Sequence, residues 1–419
     1  MSISNRSMLF LLIAVFFITG CFEETAKLID DNGIHYPSMH FSQSVAIDGD
    51  YAIVGTPYAY NSYDIAVGSV TFYWRENGDW TTFPEREAPS DLKNNDHFGN
   101  SVGISGDAAI IGACRADNCA GITYIYNRFS YNNNDNRWGA REKLIASDRA
   151  SNDFFGVAVD ISGNYAVVGA YMDDNYRGAD VGAAYVFFRN GRVWQEQYKL
   201  IAPDGSSSSY FGYSVAISGD YIAIGAPSDD NTRGKDAGSM YIFKRSGSVW
   251  NLQDKLVASD GASGDRFGYS VDINNNHAIA GSMLNDNANG ASAGCAYFFV
   301  LSDRWSQASK LTAVDGFMND QFGRSVSISD YYAAVGAPNN DGAGNNAGAV
   351  YMYLLNNNTL SYMEKRTASD ADAADLFGYS VAVDNNYAVF GSRFDDNENG
   401  VDAGAAYIFE AQTIDDLGL

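Results

Sequence analysis

The sequence predicts an all-β fold: a seven-bladed β-propeller with four strands per blade, closed by an N-terminal strand that completes the last blade. Three observations predict it. A Phe recurs at Phe41, Phe98, Phe155, Phe211, Phe267, Phe322 and Phe377, at spacings of 57, 57, 56, 56, 55 and 55 residues. A repeat of that period marks an array of supersecondary units. Each interval holds four short strand candidates and no sustained 3.6-residue period, which is the content of a propeller blade. The last copy stops near Phe409 without an outer strand, and a match to the missing strand lies near the N-terminus.

Composition agrees with this fold and excludes others. The 419 residues carry 51 acidic and 27 basic side chains, for a formal charge of -24. Of the acids, 41 are Asp and 10 are Glu. Asp belongs in turns, caps and hard-cation sites, whereas an acidic helical protein favours Glu. The 42 Gly and 28 Tyr point to many strands joined by tight turns. No basic patch survives at this charge, so no nucleic-acid partner is expected.

The chain opens on an address. Arg6 precedes the apolar run Met8–Ile18, which spans only about 16 Å as a helix, short of a bilayer core. Residues 1–20 are therefore expected to be a signal peptide. Ile18-Thr19-Gly20-Cys21 resembles a bacterial lipobox, with Cys21 the lipidated mature N-terminus. Phe22 follows, where an Asp would resemble inner-membrane retention. The expected location is the cell envelope, at the outer membrane or cell surface. The membrane is touched only through the lipid.

Residues 22–410 form the expected propeller and 411–419 a C-terminal tail. The best-preserved copy, blade four, shows the strands. Ser214–Ile217 is the first, and Ser218-Gly219-Asp220 turns it tightly into Tyr221–Gly225. The third is Gly238–Phe243, and the fourth runs from Trp250 to about Val257. Lys27-Leu28-Ile29 ahead of the first marker matches Lys199-Leu200-Ile201 and Lys255-Leu256-Val257. The outer strand of blade seven is thus expected from the N-terminus, removing an open sheet edge.

Phe211-Gly212 is followed some 13 residues later by Gly225-Ala226-Pro227, and Phe322-Gly323 by Gly336-Ala337-Pro338. This pattern resembles the FG-GAP repeat, which builds the seven-bladed propeller heading integrin α chains and occurs in many bacterial surface proteins. The resemblance implies a non-catalytic surface module for binding and adhesion to a protein ligand. A carbohydrate-binding propeller is the alternative, and a polysaccharide hydrolase or lyase a third. No Gly-x-Ser-x-Gly, His-Glu-x-x-His or phosphate loop nominates an enzyme.

Acidic loops follow the Gly-Ala-Pro position. The fullest are Asp173-Asp174-Asn175 with Asp180, Asp229-Asp230-Asn231 with Asp236, and Asp395-Asp396-Asn397 with Asp402. Carboxylates and amides on a Gly-containing loop suit Ca²⁺. They equally suit turn capping by side chains. The integrin-type repeats bind Ca²⁺ between Phe-Gly and Gly-Ala-Pro, and here that interval is a short hairpin, so the family's calcium residues do not carry over. A second recurring pair, exemplified by Asp148 and Asp153, is read as turn residues.

Blade one replaces its acidic loop with Tyr58-Ala59-Tyr60-Asn61-Ser62-Tyr63. Tyr58, Tyr60 and Tyr63 resemble the aromatic, hydrogen-bonding surface of a paratope and are the candidate ligand contacts. Cys114 and Cys119 bracket a short loop and are the expected disulfide of an exported protein. Cys295 reads as a buried small hydrophobe. His40 and His97 precede marker Phe residues and read as structural.

Globomycin, which blocks lipoprotein signal processing, is expected to make the precursor accumulate. Normal processing under the drug would exclude lipidation at Cys21.

Overall fold

The computed structural model describes residues 22–30, 38–61, 63–83, 88–130 and 136–412. The expected signal peptide, Cys21, His35 and all of the tail beyond Gln412 lie outside the described residues. The rest is seven four-stranded antiparallel sheets in a ring, as expected. Blade four comprises Ser214–Ser218, Tyr221–Ala226, Ser239–Ser246 and Val249–Leu256. The third strand runs three residues beyond the sequence expectation because Lys244, Arg245 and Ser246 pair with Asn251, Trp250 and Val249 of the fourth. Among the described residues the single helical segment is the four-residue turn Ala116–Cys119.

The two motifs of the repeat meet at the boundary between blades. Gly212 takes φ +90°, and a Cβ there would stand 2.2 Å from the Ala183 carbonyl oxygen. Glycine meets both demands without strain, and blade one alone departs, with Ser42 at φ +67° and its hydroxyl donating to the Ala405 carbonyl oxygen at 2.7 Å. A Cβ on Gly225 would stand 2.0 Å from the carbonyl oxygen of Gly268 in the next blade. The Ser214 hydroxyl donates to that same Gly268 oxygen at 2.9 Å. The same Ser-to-carbonyl bond recurs from Ser44, Ser101, Ser270 and Ser325, and Ser380 carries it to Ser42, from blade seven back to blade one.

All seven marker Phe side chains are fully buried. In blades two to seven each meets a third-strand Tyr edge-on, as Phe211 meets Tyr241 at 5.2 Å between ring centres. The apolar clusters combine strands of neighbouring blades, so no blade has a core of its own. That is why the array must close to be stable.

Closure is made by the chain termini. The strand Phe22–Leu28 pairs antiparallel with Ala405–Ala411, setting Phe22 opposite Ala411 and Leu28 opposite Ala406, with a bulge between Glu24 and Ala26. Phe22 is fully buried, with its ring edge-on to Tyr332 of blade six at 4.8 Å. Its amide donates to Glu364 Oε1 at 2.7 Å. Lys27 bonds Asp370 at 2.6 Å and Asp395 at 2.9 Å.

Deleting residues 24–34 is expected to destabilise the whole ring, lowering the thermal midpoint by roughly 10 °C or more. Phe22→Ala is expected to cost about 3–5 kcal/mol. Midpoints equal to wild type in both would reject closure by this strand.

Candidate functional site

In an antiparallel blade, the turns joining strands one to two and three to four lie at one end of the ring. The loops joining strands two to three, and the crossovers to the next blade, lie at the other. The two ends differ in chemistry.

At the hairpin end, each turn is tied to its neighbour. Gly106 N–H donates to Asp48, Gly163 to Ser105, Gly219 to Ser162, Asn275 to Ser218, and Gly49 to Asp384. These side chains complete the scaffold.

At the loop end, the residue two beyond each marker Phe and the residues after Gly-Ala-Pro surround the axial mouth. Tyr171 meets Tyr213 edge-on at 5.5 Å, and the Tyr213 hydroxyl bonds that of Tyr269 at 3.1 Å. Arg324 lies over the rings of Tyr269 at 5.1 Å and Tyr379 at 4.5 Å. Arg393 lies over Tyr379 and Phe394, each at 4.5 Å. Phe394 meets His40 at 4.8 Å, His40 meets Tyr58 at 4.6 Å, and Tyr58 meets His97 at 4.6 Å. Arg115 stands near enough to both His97 and Tyr171, the two ends of this run, to lower the pKa of each. Burial, with Arg393 and His97 nearby, pulls the His40 imidazole down to about 4; burial and Arg115 do the same to His97. Both rings are therefore neutral at pH 7. Burial opposes ionisation of Tyr379, yet Arg324 and Arg393 hold its phenol below the usual range.

The sequence-predicted contacts of blade one join this end. Tyr58 is part of the aromatic circuit, and Tyr63 projects with 81% of its surface exposed. Tyr60 is also exposed and bridges to Ala66. Tyr176, Phe317, Met318 and Val401 are further large apolar side chains left exposed in loops of this end.

The acidic loops lie here too, and their oxygens are engaged internally. Lys199 Nζ stands 2.7 Å from Asp148 and 2.8 Å from Asp173, and the Tyr185 hydroxyl bonds both carboxylates at 2.7 Å. Asp174 accepts the Asp180 amide at 2.8 Å, and Asn175 accepts that of Arg177. Blade four repeats this with Lys255 on Asp204 and Asp229, Asp230 accepting the Asp236 amide and Asn231 that of Arg233. Blade seven repeats it with Lys27 on Asp370 and Asp395, Asp396 accepting the Asp402 amide and Asn397 that of Asn399. Burial works to lower the Lys199 pKa, but its bonds to Asp148 and Asp173 carry it above the usual value. An ammonium thus already stands between the carboxylates a cation would use. Among the described residues, no three His, Cys, Asp or Glu side chains cluster so as to hold a metal. As placed, the loops do not fit a calcium ion.

Two further readings of the sequence change. Asp153 caps a turn through the Ala150 amide, as expected, but Asp148 is an ion-pair partner of the following blade. Cys114 and Cys119 are free rather than bridged. The run between them winds into a helical turn in which the Cys119 amide donates to Arg115, and Cys114 is buried. Burial pushes the Cys114 thiol up to about 12, suppressing the thiolate that disulfide exchange needs. Cys295 is fully buried, as expected.

Sequence reasoning missed Arg324, Arg393, Tyr213, Tyr269 and Tyr379. For four of these the signal was available at one position: two residues beyond the marker stand Gln43, Asn100, Val157, Tyr213, Tyr269, Arg324 and Tyr379. It also missed two carboxylates on the axis. Asp160 and Asp272 face a cavity of about 300 Å³ lined by the first strands of all seven blades. Blades one, four and seven place Ala46, Ala216 and Ala382 at that level. Asp160 accepts the amides of Ile161 and Ile217; Asp272 accepts those of Ile273 and Ile328. Burial raises Asp160 to about 7, with Asp272 adding repulsion, and raises Asp272 to about 6.

A comparison with protein families finds the model described as FG-GAP repeat matching residues 22–70, 87–126, 138–187, 194–243, 250–299, 305–353 and 361–409. Each match after the first starts within the first residues of the outer strand of one blade, or, after blade one, beyond that strand, and ends in the third strand of the next. The first match starts at Phe22, on the closing strand. No curated protein matches the chain.

The folded chain holds protons on Asp160 and Asp272 to higher pH than the unfolded chain, whose carboxylates titrate near 3.8. Their ionisation therefore costs stability as pH rises from about 4 through 7, and lower pH restores it. Relative to an Asp160→Asn/Asp272→Asn double variant, the wild type is expected to lose melting midpoint between pH 5 and 8. A pH-independent difference would remove the axial carboxylates from the account.

Proposed function

Because the chain belongs to the FG-GAP repeat family, we propose that it is a non-catalytic binding and adhesion module, exported and held by lipid at Cys21. On this reading its loop end takes a protein ligand at the cell surface. The observation that carries the reading is the continuous run of Tyr, His, Phe and Arg around one mouth, with Tyr63, Tyr176 and Phe317 exposed beside it. Those positions vary between repeats in which the marker Phe and the first Gly of Gly-Ala-Pro do not, and rigid amphipathic rings with Arg are the chemistry of interface anchors. The acidic loops support this face through lysine, with no need for calcium.

Labelled protein is expected to bind target surfaces in a way that prior protease treatment of those surfaces abolishes. Periodate oxidation abolishing it instead would favour the carbohydrate alternative. Replacing Tyr58, Tyr60 and Tyr63 together by Ala should weaken binding roughly tenfold with the fold retained. Binding and melting are expected to be the same in Ca²⁺ and EDTA; a higher midpoint in Ca²⁺ would show that the loops rearrange to hold the ion.

A further inference from the structure

The protein carries 51 acidic side chains against 27 basic ones, so a cation without an acid at its side is conspicuous. Six described arginines pair with an acid: Arg75 with Glu410, Arg149 with Asp117, Arg189 with Asp107, Arg245 with Asp220, Arg304 with Asp254 and Arg366 with Glu364. Arg324 and Arg393 differ. Among the described residues neither pairs with a carboxylate, although both sit at one mouth and flank one phenol. Arg324 donates to the Tyr379 hydroxyl at 2.5 Å and to the Met283 sulfur at 3.7 Å. Arg393 bonds His40 Nδ1 at 3.1 Å, and its buried Nε has no acceptor. Two neighbouring guanidiniums repel each other, and partial burial strengthens the repulsion. Aromatic faces and a thioether offset only part of that.

We infer that Arg324 and Arg393 receive a carboxylate side chain of the protein ligand, a Glu or Asp projecting from its surface into the axial mouth. This rests on the reading that the loop end binds protein. A guanidinium prefers a carboxylate because its planar fork matches two oxygens at once. The ring geometry selects a slim acidic side chain over an acidic sugar. A pyranose needs an open aromatic face, but Arg324 and Arg393 cover Tyr379, Arg324 covers Tyr269, and Tyr171 lies edge-on against Tyr213. These contacts use only some of the five N–H groups of each guanidinium, and both side chains are only partly buried, so a carboxylate on a flexible stem can reach the rest. The long-range field of a chain at -24 opposes acidic partners in general. Such a mouth therefore admits an acid only where local contact exceeds that repulsion, which makes the contact selective.

The test uses the full chain, immobilised, with a blocked tetraglutamate peptide, its tetraglutamine counterpart and tetragalacturonate as probes. Tetraglutamate is expected to bind saturably and tetraglutamine at least roughly tenfold more weakly. The Arg324→Gln/Arg393→Gln variant should bring tetraglutamate down to the tetraglutamine level. Arg324→Lys/Arg393→Lys should fall between, because charge is kept and the fork is lost. If the double Gln variant does not fold by near-ultraviolet circular dichroism, Arg393→Gln alone and the Lys pair supply the comparison. Absent tetraglutamate binding, binding indifferent to both arginines, or tighter Arg-dependent binding of tetragalacturonate would each overturn the inference. Protease-sensitive surface binding retained by the Gln variant would overturn the carboxylate site while leaving the adhesion reading intact. Absence of such binding by wild type would remove that reading itself.

Discussion

The ring depends on one contact: two backbones touching across a blade boundary with no side chain between them. Gly225 of one blade meets the Gly268 carbonyl of the next, at a separation that a single Cβ would close to 2.0 Å. The positive φ beside each marker Phe turns that carbonyl toward the neighbour, and a Ser hydroxyl fixes it. Interblade distance, and so the size of the axial cavity, follows from how closely these chains approach. The marker Phe then fills the space behind the contact, edge-on to a third-strand Tyr. A fold set by backbone approach leaves the outward positions around the mouth free to vary. Those are the positions where Tyr, His and Arg collect.

The fold was legible because its constraint repeats. The marker Phe and the first Gly of the Gly-Ala-Pro position recur in phase, and the Lys27-Leu28 match points to the closing strand. The site was less legible, for a physical reason that differs between residues. Asp173 and Asp229 stand in sequence like cation ligands, but their partners Lys199 and Lys255 lie 26 residues further along, on the outer strand. Those lysines were visible as strand markers, not as counter-ions. Asp160 and Asp272 alternate with Val and Ile as residues of a half-exposed strand would, and nothing local tells the axial face from the solvent. Cys114 and Cys119 have the spacing of a bridge, but local winding and burial decide otherwise. Tyr58 and Tyr63 were legible because blade one breaks a pattern its neighbours keep.

The lysine network shows how an acidic protein can carry carboxylates at every blade. Each outer-strand lysine gathers an Asp from the crossover and, in blades three, four and seven, a buried Asp from the loop beyond Gly-Ala-Pro. In blades five and six Asn285 and Asn340 stand at the second position, and the lysine serves one carboxylate. There the buried position carries a neutral amide, and the one carboxylate left to the lysine is half-exposed. Pairing of this kind matters chiefly because removing the lysine would strand a carboxylate in the interior. The loops are thereby held in place from within, and the face they frame is ready for a partner before it arrives.

The closing strand also sets an order in time. Phe22 waits for Ala411, so the first described strand pairs with the last. Six blades can form from residues already made, but the seventh cannot, and until it does the ring is an open arc with two unpaired flanks. Contacts of such long sequence separation are the slowest to form and leave edges exposed meanwhile. A chain cut short anywhere before the final strand would stay in that open state. For this architecture, the last blade and the ring are completed in one step.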